Sequence, residues 1–445
     1  MKKIVSLLVC AIVLFSACPA FAGERVGIPD VLRFTQKIAA ADYVREKQYV
    51  QCVYPETANE TVNQEMRELI DGMAEKGRPF LPAGKIDLMP SYLDVSATIF
   101  RTGAQWMSFL TIARIAYERE QTYVAFDARV YDMATGERLT LSDLFAPDSP
   151  AWDMMAQEAR KQLGEDYFMT LEPDAAALEV LCTREALENA AFTLTPAKLE
   201  LHFRADALYP GKNTLMHVKL YYSALRPLMT EKGQQITDNS QYKMIALTFD
   251  DGGARGYTNN VVNRLRQYGA NATFFIVGTM MRANHDVMCR QHDAGYAMAS
   301  HNYEHTYTGI NENTVADWQV KYNEAMDAII GIRPAYMRAP GGHAGKFINA
   351  NVNMPLIQWS INSLDASSDN IDTIAWQVLN NARDGGVVLM HDLNPQAYEY
   401  VEIILENLER RGILCVTVDE LFDHYGVKLE PNQAYIGCEE EAKAQ

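Results

Sequence analysis

From residue 242 onward, short apolar runs and helix-spaced stretches alternate: "MIALTF", "TNNVVNRLRQYG", "ATFFIVG", "HDVMCRQHDAG", "YAMASH". This order predicts strand–helix alternation and hence a parallel α/β domain. Earlier in the chain the pattern differs. "ETVNQEMRELIDGMAE" (60–75) sets Val62, Met66, Leu69 and Met73 at helical intervals on one face. "QWMSFLTIARIAYERE" and "TYVAFDARVYDMATGERLTLSDLF" read as consecutive strands, with "MATGE" as their turn signal. Residues 23–228 are therefore expected to form a smaller α+β domain. Residues 229–241, "MTEKGQQITDNSQ", are polar and aperiodic, which is a linker composition. The acidic end, 427–445, reads as a loose tail.

A chain of 445 residues is too long for one ordinary core, which agrees with two domains. The 48% hydrophobic content excludes a disordered chain. A net charge of −17 disfavours nucleic acid as a partner.

The first residues change the expected location. Lys2 and Lys3 precede an apolar run over 4–17, and "AFA" at 20–22 has the small-x-small form of a cleavage site. A signal peptide over 1–22 is expected, and with it an exported, secreted or envelope-associated protein. Lipid attachment at Cys18 ranks second and an uncleaved anchor third, so any membrane association is expected only through this segment. Five cysteines remain after cleavage, Cys52, Cys182, Cys289, Cys415 and Cys438, without a CxxC spacing. Free thiols and disulfides stay equally open.

The first parallel strand ends in "TFDDGG", placing Asp250 and Asp251 side by side. One aspartate before glycine is turn chemistry; two repel unless a cation or a proton intervenes. The third strand runs into "HNYEH", so His301 and His305 share one face if this turn is helical, which suits one metal ion. "YMRAPGG" adds Arg338, "IQWSINSLDA" adds Asp365 and "GGVVLMHD" adds His391. In parallel α/β domains functional groups gather where strands end. Taken singly, each has a bland reading as a surface pair, cap or strand terminus. His202 and His217, the only histidines of the first half, read as satisfied polar groups.

The order TFDDG, HxxxH, RxPxG, a Trp-bearing strand with a late Asp, then LxH resembles the polysaccharide deacetylase family, the NodB homology domain of carbohydrate esterase family 4, over about 242–426. "YPETANETVNQEMREL" and "VYDMATGERLTLSDLF" are similar, more weakly, to the module before this domain in some exported peptidoglycan deacetylases and in lysozyme-sensing anti-sigma factors. The resemblance implies a distorted barrel of parallel strands and helices and metal-dependent removal of acetyl groups from polysaccharides, with peptidoglycan or a chitin-like glycan as the expected partner. It also implies residue roles. Asp251, His301 and His305 hold one divalent ion, zinc(II) first, with cobalt(II) or nickel(II) as alternatives. Asp250 is the general base, oriented by Arg338. His391, supported by Asp365, protonates the leaving amine. The backbone N–H of Gly341 meets the oxyanion, Leu389 lines the acetyl-methyl pocket, and Trp359 contributes to substrate binding.

The chain departs from the family pattern at Gly253 (for Pro), Asn302 (for Ser or Thr), Gly341 (for an aromatic), Asn362 (for Asp) and Ala366 (for Trp). The last removes one wall of the acetate pocket. The alternative function is a catalytically inactive glycan-binding or lysozyme-sensing protein; the complete set of ligands and acid–base groups argues against decay. A glycosidase using Asp250 and Asp251 is excluded, because adjacent residues cannot flank one glycosidic bond.

Overall fold

The computed structural model describes residues 27–39, 42–43, 48–82, 91–117 and 120–438. The expected signal segment and residues 439–445 lie outside them.

Six strands form the first sheet: β1 (Phe34–Ile38), β2 (Asp42–Tyr43), β3 (Gln48–Thr57), β4 (Ser91–Thr102), β5 (Trp106–Tyr117) and β6 (Glu120–Asp132), in the order β1-β3-β4-β5-β6 with β2 on β3. β3 and β4 are parallel; the other pairs are antiparallel. The helix Glu60–Gly77 starts at Asn59, whose side chain accepts from Val62 N and satisfies an otherwise free helix-end donor. Its Val62, Met66, Ile70 and Met73 are buried, and Leu69 is half-buried. The "MATGE" turn folds β6 back onto Arg138 rather than joining β5 to β6.

β7 (Ala191–Leu194), β8 (Lys198–Arg204) and β9 (Leu215–Tyr221) form a second, antiparallel sheet. Strand alternation gives it two unlike faces. Leu199, Leu201, Met216 and Val218 join Trp152, Met155 and Leu163 of the helix Ala151–Glu165 in one apolar cluster. Lys198, Glu200, His202, His217 and Lys219 occupy the opposite face.

The second half is α/β, with parallel strands β10 (Lys243–Asp251), β11 (Thr273–Ile276), β12 (Ala297–Ser300), β13 (Leu356–Ile357), β14 (Ile361–Asn362), β15 (Val387–His391), β16 (Ile413–Val416) and β17 (Ala434–Tyr435). The main path is β12-β11-β10-β15-β14, with β16 beside the start of β10. Bridges from Ser300 to Met337 and on to Leu356 carry the curve from β12 to β13. The strands therefore bend into a distorted barrel that stays open between β13 and β14 among the described residues.

Two segments differ from expectation. Within 229–241, Thr230 caps a helix over Glu231–Ile236, and Asn239 is only 3% exposed. Asn239 accepts from Gly103 N and donates to Thr102 Oγ1 and Pro196 O. Its polarity serves buried hydrogen bonds, which composition cannot distinguish from solvation. We expect Asn239→Ala, which strands these partners, to lower stability by about 1–3 kcal/mol in chemical denaturation. The expected loose tail is also packed as far as it is described. β17 pairs with β13, and Cys438 is buried with its N–H on Gly385 O. Backbone pairing to a strand edge needs no apolar periodicity. Cys52, Cys182 and Cys415 are free thiols.

The two halves share one interior. Ile99, Met107 and Phe109 lie in one cluster with Met244, Phe275 and Leu414. Buried ion pairs cross the same seam: Arg101–Glu409 at 2.7 Å, Arg114–Asp293 at 3.1 Å and Lys198–Asp419 at 3.5 Å.

Candidate active site

The chemistry-bearing side chains collect at the C-terminal ends of β10, β12 and β15. β10 puts Asp250 level with His391 of β15, and Asp251 level with Ile276 of β11. Asp251 has φ +77, a left-handed conformation that aspartate tolerates better than most residues. The kink and the strand alternation send the adjacent carboxylates to different partners.

Asp250 is 3% exposed and accepts from Arg338 Nη1 at 2.7 Å. Arg338 is fully buried, and three further N–H groups donate to Thr248 Oγ1, Ile357 O and Gln358 O. Its guanidinium lies 4.2 Å from the Phe275 ring centroid and 5.7 Å from that of Trp359. Burial pulls the Arg338 pKa down while Asp250 holds it up. Arg338 is therefore an interior clamp on one carboxylate, not a surface pair.

Asp251 Oδ1 lies 3.2 Å from His305 Nε2 and 3.6 Å from His301 Nε2. The expected helical turn is absent. Residues 301–305 form a loop with Asn302 at φ +64 and His305 at φ +49, and this backbone brings the rings to 5.0 Å. Asn302 takes its left-handed position at little cost and donates to Thr306 O. His301 Nδ1 faces Arg338 O at 2.9 Å. A carbonyl can only accept, so Nδ1 carries the proton and Nε2 turns its lone pair toward Asp251. Burial keeps the His301 pKa low, the neutral form a ligand needs. Asp251 Oδ1 is buried without a hydrogen-bond partner. The ligand atoms of Asp251, His301 and His305 lie within 4.8 Å of one another. Two imidazole nitrogens and a carboxylate oxygen converging on one point fit one first-row divalent ion.

His391 stands opposite. Its Nδ1 is 2.8 Å from Asp365 Oδ1, and its backbone N donates to Oδ2 at 2.7 Å. Ser363 Oγ and Tyr400 Oη also donate to Asp365. Burial opposes the His391 charge, but Asp365, Asp250 and Asp251 together push its pKa up to about 9. Burial likewise opposes charge on Asp365, yet His391 and Tyr400 hold its pKa below the usual value.

The expected substrate-contact residues surround this pair of centres. Leu389 lies on the His391 side of β15 by alternation and is 6% exposed. Gly341 is exposed at φ +62, in a turn whose neighbouring N–H groups at Gly342 and His343 are spent on Ala339 O and Pro340 O. Trp359 packs against Gly342, where any Cβ would come within 2.9 Å of its ring. The departures find physical accounts. Gly253 sits at φ +89, which proline cannot adopt. Asn362 Oδ1 accepts from Leu364 N and keeps the acceptor an aspartate would offer there. Ala366 is exposed, so that wall of the pocket is open.

Sequence reasoning missed four neighbours. Asp392 is fully buried, accepts from Gly252 N and Thr258 Oγ1, and so holds the turn after the aspartates. Burial pushes its pKa up to about 7. Its only signal was its place beside His391 in "LMHD". Tyr400, on the helix Ala397–Arg410, carried none. The Tyr307 and His343 rings meet at 4.4 Å, tilted by 41°, beside Gly341, and supply from elsewhere an aromatic surface near the position that lacks one.

Residues 237–355 match the family model described as "Polysaccharide deacetylase"; Asp365 and His391 fall beyond the matched stretch. The peptidoglycan-N-acetylglucosamine deacetylase PgdA of Listeria monocytogenes is 33% identical over 195 residues, 44% of this chain and 41% of that protein. A peptidoglycan-N-acetylglucosamine deacetylase of Bacillus cereus is 30% identical over 192 residues, 40% of this chain and 88% of that protein. Among solved structures, the peptidoglycan deacetylase PdaC from Bacillus subtilis is 27% identical, covering 42% of this chain and 93% of that one, with a TM-score of 0.40. The chain thus spans about two fifths of the length of its Listeria relatives.

Proposed function

Since the chain belongs to the polysaccharide deacetylase family, we propose that it is an exported, metal-dependent hydrolase that removes acetyl groups from N-acetylated glycans, peptidoglycan first among them. The observation that carries this reading is one convergence: Asp251, His301 and His305 beside the Arg338-held Asp250, with the Asp365-held His391 opposite. The printed activities of the Listeria and Bacillus relatives support peptidoglycan as substrate. Export rests on the pattern of residues 1–22.

A divalent ion, zinc(II) first, held by Asp251, His301 and His305 would polarise the acetyl carbonyl and acidify a water. The rest falls to the chain. Asp250 takes the proton of the attacking water, with Arg338 holding it aimed. His391 gives a proton to the sugar nitrogen as the C–N bond breaks, so the amine stays on the glycan and acetate leaves. Asp365 keeps that imidazole charged and oriented, and Tyr400 holds Asp365 in place. Leu389 receives the acetyl methyl, Gly341 offers its N–H to the developing oxyanion, and Trp359 supports the turn beside it. Catalysis is assigned to residues 242–426, and 23–228 take no chemical part.

The test is mass spectrometry of purified peptidoglycan and chitin oligomers after incubation with the zinc-loaded full chain. Loss of one acetyl mass per modified sugar is expected, abolished by excess chelator and restored by zinc or cobalt. Fully acetylated glycans after incubation with the loaded protein would sink the proposal.

A further inference from the structure

We propose that Glu200, His202 and His217 hold a second divalent cation, of the zinc class, at the seam between the two halves. β8 and β9 pair His202 directly with His217, and Glu200 lies two residues along the same face. Their ligand atoms fall within 4.8 Å of one another, and the three residues are 1%, 2% and 4% exposed in that order.

The bonding around them is incomplete. His202 Nε2 is spent on Thr193 Oγ1 at 2.9 Å, which orients the ring as an outer partner orients a metal-binding imidazole. This leaves His202 Nδ1 facing His217 Nδ1 at 2.8 Å. His217 Nε2 and Glu200 Oε2 are buried with no hydrogen-bond partner, whereas Glu200 Oε1 faces Lys198 Nζ at 3.0 Å. The nearby His292 ring, 4.8 Å from His217, does not help, because its Nε2 is taken by Leu215 O. Orphaned polar atoms of this kind destabilise a buried seam.

Charge points the same way. Lys198 Nζ lies 3.0 Å from Glu200, 3.5 Å from Asp419 and 3.8 Å from Glu420, so one buried ammonium is shared among three carboxylates. Lys219, partly exposed, adds a second cation at 3.6 Å from Asp419. One negative charge remains over in a desolvated seam, where unpaired charge is expensive. A divalent cation held by two imidazole nitrogens and the Glu200 carboxylate more than offsets it, leaving one positive charge that a coordinated hydroxide would neutralise, with a donor set that first-row ions accept. An ion bound by His202 Nδ1 and His217 Nδ1 needs these two nitrogens to part by only about half an ångström, and leaves His217 Nε2–H as a donor for water in the cavity that His217 lines. Glu200 and His217 line a cavity of about 780 Å³ that gives the remaining coordination positions room for water. This cavity also takes in Gly295, Tyr296 and Ala297, where β12 begins, whereas Asp251, His301 and His305 lie where the strands end. The two sites are distinct.

The test counts metal. The full chain is loaded with zinc, desalted and analysed by plasma mass spectrometry. Two ions per chain are expected. The double variant Asp251→Asn/His301→Ala should keep one, and His217→Gln should keep one together with its deacetylase activity. No ion in the double variant, or an undiminished count in a folded His217→Gln, would overturn the proposal. The double variant leaves the seam untouched, so the result stands even if His217→Gln fails to fold. Loss of metal from the strand-end site with retention here would sink the ligand assignment for catalysis without touching this one.

Discussion

Asp250→Asn is expected to keep the catalytic ion and lose about 10²–10⁴ in kcat, whereas Asp251→Asn loses both ion and turnover. The two side chains are chemically identical and one position apart; only geometry separates them. Asp250 is gripped by Arg338 at 2.7 Å and lies 3.7 Å from His301 Nε2, while Asp251 Oδ1 faces both imidazoles. An amide at 250 can still accept from Arg338 but cannot take the proton of water. At 251 it presents a neutral oxygen, a weak ligand for a divalent cation. Asp250→Asn also leaves a buried guanidinium without its counter-charge, so reduced stability is expected alongside the kinetic loss. Metal content and kinetics on both variants decide the matter. Loss of the ion from Asp250→Asn with retention in Asp251→Asn would reverse the roles and refute the assignment.

His391→Ala is expected to lose a similar factor in kcat, and Asp365→Asn to move the alkaline limb of the rate profile toward neutral pH. As the proposed acid, His391 would give a proton that is present only below its pKa. Burial works against that charge, and Asp365 is the first of the groups that restore it, raising the value to about 9 from an ordinary 6.5. Activity should therefore fall as pH rises toward 9. An ion bound at Asp251 offsets part of the support, so the limb of the loaded enzyme lies somewhat lower. The same sign governs stability. A raised imidazole pKa stabilises the fold fully below 6.5, and that contribution is lost as pH climbs toward 9. Without the Asp365 charge, burial pulls the pKa back down. An unchanged limb in Asp365→Asn would mean that His391 is not the acid.

The α/β architecture of the second half and its strand-end residues were legible because both depend on short-range order. An apolar run marks a buried strand, and the residue after it must leave the sheet. What failed depended on backbone detail or on distant partners. The spacing of His301 and His305 suggested one helical turn; the rings meet instead through left-handed backbone at Asn302 and His305. Asp392 and Tyr400 act through residues far along the chain, and no local pattern marks them. Residues 229–241 looked solvated because Thr230 and Asn239 are polar, yet both are spent on packed hydrogen bonds. His202 and His217 read as isolated histidines because the hairpin register that joins them is invisible in linear spacing.

The common interior of the two halves makes binding energy a property of the whole chain. Arg101 donates to Leu32 O in one half and to Glu409 in the other, so opening one half strands partners in the other. A ligand that binds only the folded state, present at one hundred times its dissociation constant, stabilises that state by about 2.7 kcal/mol. If the halves open together, a glycan held beside Asp251 slows hydrogen exchange in β4 and β5 as much as in β10, although it touches neither β4 nor β5. The first sheet then serves as a reporter of occupancy at the far end of the molecule, and a substitution at Arg101 would alter the apparent affinity for a substrate it never meets.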